Sequence, residues 1–431
     1  MEACEQHLKD KATPREEPRF PCVRDPNTIA FLRHHGRVFF ITRGPSGCGK
    51  GDLVSKLHDL YPHSVSYWAD KIFRSPDAPV RTASTVAKSH DLCRETIEHY
   101  MKLSVPVIIN KNNNLNVWET SPFLQLAATY GYTTILLDMN HYAPFNPEAL
   151  ATANKHGLDK TYMLHRLNTW EPVHPFATGW APRPQDAARL LRRYELLVSE
   201  INAGNSSAEL KPVENAQVYP FIPARICKFG WYARDRKYCN SELVKKAYGS
   251  VDKIAVLGYA VLGNTVVAVV RLTDAQVVLK AVPVGARGNT VINWAPTSEP
   301  GNVAHKLCDE VRCTLNLRTI AAQEDENLKT PFEAVTAAFR ELPPASHLSF
   351  LVLGVTNRRP FTYSKVVYYA SRCLSSHVAS WKSMLGPASC VRVDGIKIYR
   401  ALGDWCCLIM DKQDVKLDAV FTGYYQSHTT E

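Results

Sequence analysis

Val38-Phe39-Phe40-Ile41-Thr42-Arg43-Gly44-Pro45-Ser46-Gly47-Cys48-Gly49-Lys50-Gly51 is a run of strand-forming residues that ends in a glycine-rich loop. Leu53, Val54, Leu57 and Leu60 then recur at helical spacing, so the stretch reads as strand, loop, helix. In such a loop the glycines let backbone N–H groups converge on an anion, the helix N-terminus adds its dipole, and a lysine reaches the outer phosphates. Gly44, Gly49 and Lys50 fit the spacing of a phosphate-binding loop, with Gly47 inside it. ATP or another nucleotide is the expected ligand. The next position in such loops carries a Ser or Thr hydroxyl that holds Mg²⁺, and Gly51 has no side chain. The cradle is therefore expected without that metal ligand.

Working outward, Ser64–Asp70 reads as a short strand ending in an acid, followed by a helix carrying Leu92, Ile97 and Met101. Val105–Ile109 reads as a buried strand that runs into Asn110-Lys111-Asn112-Asn113-Asn114. A helix with Phe123, Leu126, Ala127 and Tyr130 leads to a strand at Thr133–Leu137. Strands alternating with helices predict a parallel, doubly wound sheet whose ligand sits at the carboxyl ends of its strands. Gly44–Gly51, Asp70 and Asn110–Asn113 all fall at such ends. Asn154-Lys155-His156-Gly157 precedes a helix with Met163 and Arg166, an element expected to close over a nucleotide. An amphipathic helix from Asp186 (Ala187, Leu190, Leu191, Tyr194, Leu197, Val198, Ile201) ends at Ala203-Gly204-Asn205-Ser206-Ser207, read as an interdomain hinge.

The second half changes character. Strand-like runs predominate at Ile254–Leu262, Val266–Leu272, Gln276–Val282, Leu348–Val355, Lys365–Tyr369, Lys397–Leu402, Trp405–Met410 and Val415–Phe421, with helices near Ser241–Tyr248 and Pro331–Leu342. This predicts an α+β unit with a largely antiparallel sheet. Residues 1–35 are polar and proline-punctuated (Pro14, Pro18, Pro21, Pro26) and read as a flexible tail, followed by an α/β domain over 36–205 and the α+β domain over 206–431.

Composition narrows the class. No run reaches the ~18 apolar residues that span a bilayer, and neither a signal-peptide core nor a lipidation box is present, so a soluble, cytoplasmic protein is expected. The 12 cysteines form no C-x-x-C pair and suit buried free thiols better than a zinc site or a disulfide scaffold. A net charge of +10 fits a phosphate-bearing partner, nucleic acid first. Cations and rings interleave in Arg225-Ile226-Cys227-Lys228-Phe229-Gly230-Trp231-Tyr232-Ala233-Arg234-Asp235-Arg236-Lys237-Tyr238, the pattern of a nucleic-acid contact in which rings stack on bases. A solvated loop anchored by Phe229 and Trp231 is the competing reading.

The order of these features, the Gly179-Trp180 pair and the closing Ala419-Val420-Phe421-Thr422-Gly423-Tyr424-Tyr425 resemble the 2′,3′-cyclic-nucleotide 3′-phosphodiesterases, the CNPase family. Val244-Lys245-Lys246-Ala247-Tyr248-Gly249, Val270–Asp274 and Gln276–Leu279 are similar to that family's catalytic domain, with about 45 residues around 295–340 looking inserted. The resemblance implies a polynucleotide-kinase-like P-loop domain followed by a two-lobed, two-histidine phosphoesterase domain. It also implies hydrolysis of the 2′,3′-cyclic phosphates of nucleotides or RNA ends to 2′-phosphates.

The family chemistry uses two His-x-Thr/Ser motifs. One imidazole takes a proton from water, the other protonates the leaving ribose oxygen, and the hydroxyls hold the phosphoryl oxygens. His347-Leu348-Ser349 is one such motif, with His347 as the expected water-activating base; Phe229, Trp231, Tyr232 and Arg234 are the expected substrate contacts. The partner motif is expected near Phe221 and Pro223, where neither residue can transfer a proton.

The kinase half departs similarly. Asp70 stands where polynucleotide kinases keep the carboxylate that accepts the 5′-hydroxyl proton, but Asn110 replaces an expected metal-supporting aspartate, and Ala153 an expected basic residue before Asn154-x-His156. Gly44, Gly47, Gly49, Lys50, His156 and Arg166 are the expected nucleotide contacts, with no metal ligand assigned. A helix cap at Asp70 and a surface histidine at His156 are equal alternatives. Three functions follow: a phosphodiesterase of reduced or lost activity, a non-catalytic RNA- or nucleotide-binding scaffold, and a 5′-hydroxyl polynucleotide kinase using Lys50 and Asp70.

Overall fold

The computed structural model describes residues 20–74, 76–140, 145–173, 175, 177–204, 222–223, 241–262, 265–277, 279, 348–355, 389–393, 396–401 and 406–425. Two helices lie within the stretch expected to be a tail up to residue 35. Helices α1 (Pro21–Arg24) and α2 (Pro26–Arg33) each start on a proline, and Phe20, Cys22, Val23, Phe31 and Leu32 are buried. Pro21 and Pro26, two of the four prolines in that stretch, are helix starts, because the first turn of a helix needs no proline N–H. Asp25 caps α2 by accepting from Thr28 N at 2.9 Å.

Four strands, β1 (Val38–Arg43), β2 (Ser64–Tyr67), β3 (Val107–Asn110) and β4 (Thr133–Asp138), form a parallel sheet in the order β2-β3-β1-β4. Every residue of β1 is buried, as a central parallel strand covered on both faces requires. Its alternation divides the layers. Val38 and Phe40 pack with Leu53, Val54 and Leu57 of α3 (Lys50–Leu60). Phe39 and Ile41 pack on the other face with Cys93, Ile97 and Met101 of α4 (Ala83–Lys102) and with Phe123, Leu124 and Ala127 of α5 (Val117–Tyr130). Leu92, expected on the buried face of α4, is exposed, because Cys93, Ile97 and Met101 at four-residue spacing set that face.

The second sheet is antiparallel. It follows the path β10-β11-β12-β7-β8-β9 with β5 paired to β12 and β6 to β5, using β5 (Ala177–Pro182), β6 (Ile222–Pro223), β7 (Val251–Leu262), β8 (Thr265–Arg271), β9 (Leu348–Val355), β10 (Ser389–Val393), β11 (Ile396–Ala401) and β12 (Cys406–Tyr424). The two runs expected at 405–410 and 415–421 are one strand, with a register shift between Met410 and Val415. The strand expected from Gln276 begins instead as a short helix, Asp274–Val277. Thr273 and Gln276 exchange bonds between their backbone N–H groups and side chains there, a capping box that outcompetes extended pairing.

Helix α8 (Pro184–Gly204) lays Leu190, Leu191, Tyr194, Leu197 and Val198 on Ile254, Val256, Val266, Val270, Leu351 and Phe421 of this sheet. The ladder of β5 and the packing of α8 thus cross the boundary expected at 205. Of the expected hinge, Ala203 and Gly204 end α8, and residues 205–207 lie outside the described residues, as do Lys365–Tyr369 and Pro331–Leu342.

The closing Phe421-Thr422-Gly423-Tyr424-Tyr425 stretch joins the two sheets. Thr422 Oγ1 donates to Thr134 O of β4 at 2.6 Å, and Leu136 N donates to the Tyr248 hydroxyl at 3.0 Å. The Tyr248 and Tyr425 hydroxyls lie 2.7 Å apart, and the Tyr425 ring is buried in the layer under the parallel sheet. Among the described residues no helix is long and apolar enough to cross a membrane.

His35, fully buried after α2, carries a pH dependence. Burial first and the Arg183 guanidinium second lower its pKa from 6.5 to about 3, with the Pro182 carbonyl pulling the other way. Between those values the unfolded chain binds the proton that the folded chain refuses. Stability is therefore complete above pH 6.5 and falls as the pH drops toward 3, costing about 2 kcal/mol by pH 5. Denaturation midpoints at pH 7 and pH 5 check this: His35→Gln should lose about 2 kcal/mol less than the natural protein. Equal losses would remove His35 from the acid response.

Candidate functional site

The loop between β1 and α3 sits at the carboxyl end of a central strand, where an open α/β sheet places its ligand. Gly47 and Gly49 take φ of +85° and +94°, values that side chains rarely permit. Lys50 opens α3 and is buried, with its Nζ donating to Gly44 O at 2.6 Å, Pro45 O at 2.9 Å and Asn113 Oδ1 at 2.8 Å. All three ammonium protons are therefore engaged on the loop and its neighbour. Burial, first among the causes, pulls the amine below its ordinary range.

The asparagine cluster after β3 is the scaffold of this loop. Asn113 O accepts from Gly44 N at 2.9 Å while its side chain holds Lys50. Asn110 Oδ1 accepts from Asn112 N at 3.0 Å and from Asn114 Nδ2 at 2.9 Å; Asn112 Oδ1 accepts from Ala69 N at 2.8 Å, reaching the strand end after β2. Asn114 takes φ of +50°, which asparagine tolerates better than most residues, and its side-chain amide donates to Thr42 O at 2.9 Å.

Arg43, just before the loop, was not expected as part of the site. It is 1% exposed and donates to Asn114 O at 2.8 Å, Leu115 O at 3.0 Å, Glu171 O at 2.6 Å and Asp138 Oδ2 at 3.0 Å, with its guanidinium 4.7 Å from the centre of the Trp170 ring. It ties the ends of β1 and β4 to the asparagine segment. A charged residue closing an otherwise apolar central strand was the sequence signal.

Asp70 lies in a 3₁₀ turn, Ala69–Arg74, with no capping bond, and pairs with Arg81 at 2.8 Å on the surface. Helices α6 (Pro147–Ala153) and α7 (Lys160–Asn168) flank the expected lid. Its turn does reach the loop: a Cβ at Gly47 would lie 2.5 Å from Leu150 O and 3.1 Å from Asn154 N. The His156 side chain is exposed, and Arg166 is turned to Glu119 at 3.5 Å. His347, Phe229, Trp231, Tyr232, Arg234 and Phe221 lie outside the described residues. Ser349 sits in β9, which runs beside β6, the strand of Ile222–Pro223. The two strands approach without pairing, since β6 is bonded to β5 and β9 to β8. A further match in spelling, His428-Thr429-Thr430, escaped the sequence reading; it follows β12, outside the described residues.

The glycines give a paired prediction. Gly47→Ala forces a side chain into positive φ, at about 1–2 kcal/mol, and against the Leu150 carbonyl, so it should lower stability and abolish phosphate binding. Gly51 is helical, and a Cβ there meets nothing nearer than Lys111 Nζ at 3.9 Å, so Gly51→Ala should stabilise by up to about 1 kcal/mol. Thermal unfolding of the two variants checks the opposite signs.

No protein-family model matches the chain. The chain is similar to 2′,3′-cyclic-nucleotide 3′-phosphodiesterases. It is 22% identical to the mouse (Mus musculus) protein of that name over 341 residues, 69% of this chain and 77% of the relative. It is 20% identical to the rat (Rattus norvegicus) protein over 332 residues, 67% of this chain and 75% of the relative. Each span takes in about two thirds of this chain. A fungal RNA kinase structure matches over 90% of this chain and 99% of its own at 11% identity, but its TM-score of 0.23 is too low to bear on the fold.

Proposed function

We propose that this protein is a CNPase-like phosphodiesterase acting on 2′,3′-cyclic phosphates of nucleotides or RNA ends, with the P-loop serving as a nucleotide-phosphate cradle. The observation that carries the reading is the similarity to two phosphodiesterases over about two thirds of the chain. In the proposed reaction His347 takes a proton from water as the oxygen attacks phosphorus, and Ser349 holds a phosphoryl oxygen. The P–O3′ bond breaks, the 3′ oxygen is protonated, and a 2′-phosphate is left. Phe229, Trp231, Tyr232 and Arg234 hold the base and its phosphates.

Phe221 and Pro223 leave the leaving oxygen without an imidazole at the expected place, so its proton comes from solvent and the reaction is slow. That departure favours a second reading, in which the chain binds nucleotides and RNA ends without turnover. Incubation with 2′,3′-cyclic NADP decides between them. Hydrolysis by the natural protein and not by His347→Ala supports the enzyme; no turnover together with retained RNA binding supports the scaffold. A 5′-hydroxyl kinase is disfavoured by the donor set around Gly51 and by the pairing of Asp70 with Arg81.

A further inference from the structure

The residues at the P-loop do not suit Mg²⁺. Position 51 has no hydroxyl, and a Cβ built there lies 3.9 Å from Lys111 Nζ, so an ammonium occupies the neighbourhood where a hydroxyl would present a metal ion. The end of β3 carries the Asn110 amide, whose oxygen is engaged with Asn112 N and Asn114 Nδ2. Among the described residues no group of three or more His, Cys, Asp or Glu side chains could hold a metal.

What gathers there instead is positive charge. Lys111 Nζ is 4.7 Å, Arg74 Cζ 5.3 Å and Lys71 Nζ 5.7 Å from the centre of the Trp68 ring, so one half-buried indole collects three cations. Among the described residues none of the three forms an ion pair. Burial first and then Arg74 hold Lys111 below its ordinary pKa, with Lys155 adding to this and the exposed Asp52 opposing it. Like charges assembled beside a phosphate cradle without a carboxylate within pairing distance form a site that an anion would relieve.

We infer that the P-loop binds the triphosphate of a nucleotide without a divalent metal, the Lys111 ammonium standing where the metal would. This rests on reading the loop as a phosphate cradle. A single point charge neutralises a triphosphate less than Mg²⁺ does and cannot bridge its oxygens as a metal does, so the site holds the nucleotide without transferring its phosphate.

Calorimetric titration of the full chain with ATP and with inorganic triphosphate, in EDTA and in Mg²⁺, tests this. Binding in EDTA should equal or exceed binding in Mg²⁺, because a metal-neutralised triphosphate meets a cationic site. Lys111→Ala should weaken binding in EDTA by about tenfold or more, as loss of a charged contact does, while Lys111→Arg retains most of it. Lys111→Met, which keeps an apolar stem on Trp68, should lose the same affinity as Lys111→Ala with no fall in melting temperature. Tighter binding of ATP than of triphosphate identifies a nucleotide site, and equal binding would overturn the nucleotide part of the assignment. Binding only in Mg²⁺ would overturn the metal-free site and leave the cradle standing. Absence of binding in either buffer would overturn the cradle as well.

Discussion

Arg43→Met is expected to destabilise the protein by about 3–5 kcal/mol, the cost of breaking a buried charge network, and to prevent folding where the natural margin is small. The guanidinium is almost completely buried and satisfies three carbonyls, of Asn114, Leu115 and Glu171, besides the Asp138 carboxylate. Methionine has the length to fill the space but no donors, so the buried Asn114 and Leu115 carbonyls lose their partner. Arg43→Lys should recover little, because one compact ammonium cannot serve acceptors spread around a planar fork. The loss should appear in chemical denaturation and, near the midpoint, as failure of nucleotide binding, since Arg43 fixes Asn114 and through it the segment whose Asn113 holds Lys50. A midpoint for Arg43→Met unchanged from the natural protein would show that the clamp is dispensable.

His347→Ala should reduce hydrolysis of 2′,3′-cyclic NADP by about 10²–10⁴, the usual contribution of a positioned general base. The loss should fall on kcat with KM little changed, because in the proposed reaction His347 acts on water and not on the substrate's binding groups. In the same proposed reaction Ser349 holds a phosphoryl oxygen, so Ser349→Ala should cost up to about 10²–10³, as removal of a single oxyanion donor does. An unchanged rate in His347→Ala would move the chemistry elsewhere, and His428-Thr429-Thr430 would be the first place to look.

The parallel sheet was legible because β1 opens on an apolar run, Val38–Ile41, and is followed by glycines and a helical repeat, and the stretches after β2 and β3 carried polar markers, Asp70 and Asn110. The N-terminal helices were missed because a proline count cannot distinguish a proline that starts a helix from one that prevents it; only burial of Phe20 and Phe31 makes that distinction. The placement of β5 and α8 was hidden for a different reason. Ala177–Pro182 shows no alternation that marks a strand, and nothing local says that its partner is the end of β12, far along the chain. Lys50 was legible as a P-loop lysine. Arg43 and Lys111, which decide how that loop is held and what charge it presents, depend on contacts across strand ends and left only the faint signal of a cation beside a strand terminus.

The most direct measurement is the fate of an oligoribonucleotide ending in a 2′,3′-cyclic phosphate, followed by ³¹P NMR during incubation with the full-length protein. The account predicts slow conversion of the cyclic-phosphate signal to that of a 2′-phosphate, with no 3′-phosphate formed, at the same rate in EDTA as in Mg²⁺. A cyclic end that persists unchanged, or one that opens to a 3′-phosphate, would contradict it.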